Sequence, residues 1–130
     1  MDEQEIGILR LGLDFSQPLY EQIVEQMRGA IARGEIALGE KIPSVRELAH
    51  GLKINPNTVM SAYKELERDG LTETRRGQGT FITSAQEKVD DFRSEWAEQV
   101  IDEFLGKMEN LGYTVDDIQL VIQRKKEDKE

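Results

Sequence analysis

Two helix starts lie close together in this sequence, at Ser44 and at Asn55, and they leave the chain between them little freedom. Ser44 is followed three residues later by Glu47, the spacing of a reciprocal capping box. "NPNT", residues 55–58, then places capping residues and a proline where a second helix would begin. Val45, Leu48, Ala49 and Leu52 give the first helix an inward side. Val59, Ala62, Tyr63 and Leu66 do the same for the second, expected over Pro56 to Asp69. "GLKI", with its glycine, is the tight connection. Two short helices joined by a brief turn are the sequence form of a helix-turn-helix.

The flanks complete the unit. Leu19, Ile23, Met27 and Ile31, widened by Tyr20 and Val24, predict a helix from Pro18 to Arg33 closed by Gly34. Downstream, "LTETRRGQGTFIT" predicts strands over Leu71–Arg75 and Thr80–Thr83, with Gly77 and Gly79 allowing the turn and Phe81 packing inward. A phosphate cradle is the competing reading of "RRGQGT", but the segment lacks the preceding strand, the following helix and the Lys-Ser or Lys-Thr that such a loop needs. The fold class is therefore mainly α: a winged helix-turn-helix with a two-stranded wing, in a domain of residues 1–84 that includes an N-terminal extension. A helical dimerisation tail is expected over residues 85–130.

One cap and one proline would suffice to start a helix, so the run Asn55, Pro56, Asn57, Thr58 suggests that something outside the protein meets this end. Double-stranded DNA fits. The start of the third helix can enter the major groove with free backbone amides toward phosphate, and Asn57 and Thr58 can reach base edges. Asn57, Ser61, Lys64 and Arg68 share the outward face of that helix. Arg46 falls between the apolar positions of the preceding helix, where it serves either as a solvated surface charge or as a DNA contact. Arg75 and Arg76 of the wing can touch phosphate or enter the minor groove, or can simply solubilise the hairpin. Tyr63 has two readings, because its spacing also places it on the buried stripe.

The formal charge of −9 speaks against a polyanion partner until its distribution is considered. Residues 18–83 hold nine acidic and nine basic side chains, so the excess acid lies in the two flanks. Enzymatic chemistry finds no support: the chain has no cysteine and a single histidine, His50, and its carboxylates sit at ordinary helical spacings. No cofactor or metal is expected. The start "MDEQEIGILRL" does not read as a signal peptide, no apolar run is long enough to cross a membrane, and the expected location is the cytoplasm.

From Glu87 to Asn110 a long helical period carries Val89, Phe92, Trp96, Val100, Phe104 and Met108, with Ile101, Leu105 and Leu111 beside them. Thr114 is placed to cap a last helix, and "RKKEDKE" is expected to fray. Such a stripe has no complete core within a tail this short. A second copy is the natural cover, with Phe92, Trp96, Val100, Phe104 and Met108 as the dimerisation residues; folding back on the winged domain is the alternative.

"PSVREL", "NPNTV", "AYKELERDG" and "RRGQGTFI" follow one another in the order and at the distances of the GntR family of bacterial transcription regulators, which the central half of the chain resembles. The short helical tail is similar to that of its YtrA-like subfamily. The resemblance implies a homodimer on an inverted-repeat operator, usually a repressor. It assigns DNA contacts to Arg46, to Asn55, Asn57 and Thr58, to Tyr63, and to Arg75, Arg76, Gly77 and Gly79 of the wing, with Ser44 capping the second helix. Many relatives carry a basic residue just after the "NPNTV" motif, where this chain has Met60 and Ser61. Met60 either meets a thymine methyl or fills a gap. The runner-up function is a winged-helix protein–protein adaptor without DNA binding. A small-molecule effector between the tail helices stays open.

Overall fold

The computed structural model describes residues 3–129. The chain divides into two compact units that meet between Arg93 and Ser94. The first holds a hairpin, β1 (Glu3–Ile6) and β2 (Leu9–Gly12), followed by α1 (Leu19–Ala32), β3 (Lys41–Ile42), α2 (Val45–Leu52), α3 (Pro56–Arg68), β4 (Thr72–Arg75) and β5 (Gly79–Ile82). It also holds the beginning of α4 (Gln86–Asn110); the second unit has the rest of α4 and α5 (Val115–Asp128).

The core of the first unit forms where α1 and α2 meet α3. Ile23 and Met27, Leu48 and Leu52, and Val59, Ala62 and Leu66 are all essentially inaccessible to solvent. The wing is β4 and β5, antiparallel, with Thr74 opposite Thr80 and Arg75 opposite Gly79. It is joined by a third strand that sequence periodicity did not reveal: β3 pairs with the outer side of β5, Lys41 opposite Phe81. Two residues are too few to display alternation.

Arg28 fastens α1 to the end of α3. Its guanidinium meets Asp69 through two hydrogen bonds, Nε to Oδ2 at 2.8 Å and Nη2 to Oδ1 at 3.0 Å, and reaches Glu65 at 3.4 Å. The ring of Phe92 lies 5.4 Å from the same guanidinium. Phe92 and Val89 are buried, so the first turns of α4 belong to the winged unit. For this reason the compact division falls later than the boundary expected at residue 84.

The N-terminal extension is an ordered hairpin, and two glutamines hold it to α1. Gly12 donates its N–H to Oε1 of Gln26 at 2.8 Å and accepts from Nε2 of the same amide at 2.7 Å. Asp14 repeats the exchange with Gln22, at 2.7 and 2.9 Å. One turn of helix rises about 5.4 Å and two residues of strand about 6.6 Å, so side chains at i and i+4 match backbone groups two residues apart. Gln26 thus occupies the last residue of the β2 edge, which would otherwise be open to another chain, and Gln22 holds the segment that follows it. The hairpin's other end rests on α2, where a Cβ added to Gly51 would lie 2.7 Å from Cγ1 of Ile6. Gly51 therefore serves packing inside α2. The turn after α2 is made instead by Lys53, which adopts the left-handed conformation at φ 58°.

In the second unit Thr114 and Asp117 form a reciprocal capping box at the start of α5. The helix continues to Asp128, correcting for residues 124–128 the expectation that "RKKEDKE" frays; Glu130 lies outside the described residues. Lys125 and Lys126 lie in its last turn, where cations favour the carbonyl end of a helix. Ile118 is buried, while Val100, Ile101, Phe104, Leu111, Val115, Leu120 and Ile122 are exposed. No helix of the described residues is long and apolar enough to cross a membrane.

Candidate nucleic-acid interface

The entrance to α3 is built by Asn55. Its backbone is extended, and its Oδ1 accepts the N–H of Asn57 at 2.8 Å, while its carbonyl accepts the N–H of Thr58 at 3.0 Å. Pro56 has no N–H to offer. The expectation that free amides face phosphate here is therefore corrected: Asn55 occupies them. What this tip presents outward is side chains, with Asn57 exposed and Thr58 half-buried. Ser61 and Lys64 continue the exposed face, whereas Arg68 is held by Glu65 at 2.6 Å.

α2 is fixed just before this tip. Ser44 Oγ accepts the N–H of Glu47 at 3.0 Å and the Glu47 carboxylate accepts the N–H of Ser44 at 3.2 Å. The Ser44 backbone, its side chain and the nearby charge of Lys41 lower the pKa of Glu47 below its ordinary 4.5. Tyr63 reaches the same place from α3. Its buried hydroxyl donates to the carbonyl of Pro43 at 2.6 Å, and burial, with a smaller contribution from Glu47, raises its pKa. The hydroxyl proton is committed inside the fold, so Tyr63 sets the position of the Pro43–Ser44 corner and is removed from the solvent-facing set.

Arg46 projects from α2 into solvent and makes no ion pair among the described residues. With Ala49, His50, Lys53, Ile54 and Pro56 it lines a shallow concavity beside the start of α3. Lys53 is a cation that sequence periodicity missed. It sits in a loop, where no pattern assigns a face, and its placement follows from the left-handed turn.

At the wing, Gly77 and Gly79 have φ of 76° and 121°, and the N–H of Gln78 closes the turn on the Arg75 carbonyl at 2.9 Å. The Arg75 guanidinium lies over the Phe81 ring, 4.2 Å from its centroid, and approaches Glu73 at 3.5 Å. Arg76 is the exposed charge at the tip. Lys41 joins this group from β3, its stem so near Gly79 that a Cβ there would lie 2.7 Å from Cε.

The unit thus presents neutral hydrogen-bonding side chains at one helix tip, cations on the preceding helix and its turn, and further cations on a hairpin. A groove reader needs both elements: base-edge donors and acceptors, and phosphate contacts to hold them in register. Within the same unit Glu65 and Asp69 are matched by Arg28 and Arg68, which limits how much of the overall negative charge acts locally.

A sequence profile described as "Bacterial regulatory proteins, gntR family" matches residues 19–82. The HTH-type transcriptional regulator YhcF of Bacillus subtilis is 44% identical over 103 residues, covering 79% of this chain and 85% of that protein. The HTH-type transcriptional repressor YtrA of the same organism is 56% identical over 68 residues, about half of each chain (52%). Among solved structures, a GntR family transcriptional regulator from Listeria monocytogenes superposes with a TM-score of 0.73 at 34% identity, covering 86% of this chain and 98% of that one.

Proposed function

The chain belongs to the gntR family of DNA-binding bacterial transcription regulators, and from that premise we propose that it is a repressor acting as a homodimer on an inverted-repeat operator. The observation that carries the reading is the α3 entrance, where exposed Asn57 follows Pro56, and Pro56 lines one concavity with Arg46 and Lys53, neither of which makes an ion pair among the described residues. Asn57 supplies an amide suited to adenine, Thr58 a hydroxyl and a methyl, and Arg46, Lys53, Lys41 and Arg76 supply phosphate contacts. Ser44, Asn55, Tyr63, Gly77 and Gly79 position these groups. Repression is supported by the name of the YtrA relative, a transcriptional repressor. A cytoplasmic location accompanies the role.

Dimerisation is supported by the second unit, which leaves Val100 and Phe104 of α4 exposed together with Leu120 and Ile122 of α5. Each large apolar side chain fully buried is worth roughly 1.5–3 kcal/mol, and a symmetric second copy covers such a face at no cost in new surface. Trp96 and Met108 are half-buried and flank the face. Phe92 lies in the core of the winged unit and is not part of this proposed interface.

The test is a binding titration of the intact chain with a duplex selected from a random library, at two salt concentrations. Affinity is expected to fall steeply with salt. Arg46→Ala is expected to weaken binding about equally across duplex sequences and to reduce the salt slope by about 1. Selection of no duplex, or a curve indifferent to both salt and Arg46→Ala, overturns the reading.

A further inference from the structure

From Asn55 to Tyr63 the recognition helix and its cap carry no charged side chain. Past Pro56 the outward positions of this stretch are Asn57, Met60 and Ser61, and Met60 is 42% exposed. That exposure rules out the gap-filling role that a methionine usually plays in a core. The buried face of α3 is complete without it, in Val59, Ala62, Tyr63 and Leu66. Asn57 and Met60 are three residues apart and share one side of the helix, with Lys64 a turn further on. A flexible apolar side chain therefore stands on the face through which a recognition helix meets base edges.

In the major groove the apolar group offered by DNA is the C5-methyl of thymine. We propose that Met60 is a specificity-determining residue that reads thymine through this methyl group. It rests on the reading of α3 as the groove-entering helix and deepens it. Asn57 on the same face matches the paired N6 and N7 of adenine, so the two side chains together select A·T pairs in each half-site. No proton or charge takes part, so the preference persists at high salt while phosphate contacts weaken.

The test uses the intact chain and the duplex selected for it, with each thymine of the half-site replaced in turn by deoxyuridine, which removes the methyl and leaves base pairing intact. At one position the wild-type chain is expected to bind roughly fourfold more weakly, the worth of one buried methyl group. Met60→Ala is expected to weaken binding to the thymine duplex by a similar factor and to bind the thymine and uracil duplexes equally. Met60→Leu, which keeps an apolar side chain, is expected to retain the discrimination and shows that the site is still folded. Wild-type affinity unchanged by uracil at every position overturns the inference, as does a Met60→Ala chain that still discriminates. A chain that binds no duplex refutes the underlying DNA reading, and the inference with it. A chain that binds but ignores the methyl refutes the inference alone.

Discussion

α3 and the part of α4 beyond Arg93 are both amphipathic helices, yet they use their apolar stripes in opposite ways. In α3 the four stripe residues, Val59, Ala62, Tyr63 and Leu66, are all buried against α1 and α2. In α4 from Ser94 onward no residue is buried to that degree, and Val100, Ile101 and Phe104 remain open to solvent. Helical periodicity identifies a face in both cases. Whether that face is covered by the same chain is decided by what else folds beside it.

The largest effect that bears on this difference is a matched truncation. Leu66→Ala is expected to cost roughly 2–5 kcal/mol in chemical denaturation of the full chain, because it leaves a cavity in a closed core. Phe104→Ala removes at least as much apolar volume, but it is expected to leave the stability of the winged unit unchanged and to shift sedimentation at micromolar concentration toward monomer. Equal losses of winged-unit stability from the two truncations would erase the distinction.

Gln26→Ala probes the winged unit's other seal. Removing the amide leaves the N–H and C=O of Gly12 without their partner, at a cost of roughly 1–3 kcal/mol. Hydrogen exchange at the Gly12 amide is expected to quicken while amides in α3 keep their protection. Uniform loss of protection would mean that the hairpin and the helices unfold as one unit.

Gly106 sharpens the tail side of the comparison. A Cβ built there meets no atom within 4 Å, and the residue lies inside α4. Gly106→Ala is expected to stabilise the helix by roughly 0.5–1 kcal/mol, read as a higher thermal midpoint. A weakened self-association instead would place this position against the second copy.

The smallest effect is one in which the two units are expected to agree. Glu47 and Asp117 each sit in a capping box, and each has its pKa lowered by hydrogen bonds from its N-cap residue. A carboxylate with a depressed pKa in the folded state contributes stability above its ordinary value, and that contribution fades as pH falls through the depressed one. Both helix starts are therefore expected to loosen below about pH 4, near the ordinary carboxylate values, and amide exchange at Glu47 and Asp117 should show it. A response at only one of them would separate the two caps.

The capping boxes at Ser44 and Thr114, the stripes of α1 and α3 and the glycine turn of the wing could all be read from residue order. Each depends on interactions between residues a few positions apart. The exposed α3 tip and Arg46 were legible for the same reason, since a helix places its outward residues by period. Lys41, Lys53 and the committed hydroxyl of Tyr63 were not legible, because each depends on a partner or a turn that local pattern does not encode. The amides at the α3 entrance were misassigned for a related reason: the surplus of polar residues was visible, but that Asn55 would occupy one amide with its side chain and the next with its carbonyl is a matter of local geometry.

By itself, then, the order of amino acids determined the fold class, the starts of α2, α3 and α5 and the outward face of α3, since these arise from short-range hydrogen bonding and helical period. Only the tertiary structure decided that the N-terminal residues form a hairpin held by Gln22 and Gln26, that Gly51 yields space to Ile6, and that Met60 faces outward. Those outcomes depend on which surfaces come together once the chain closes on its core, and distances between residues far apart in sequence are set only then.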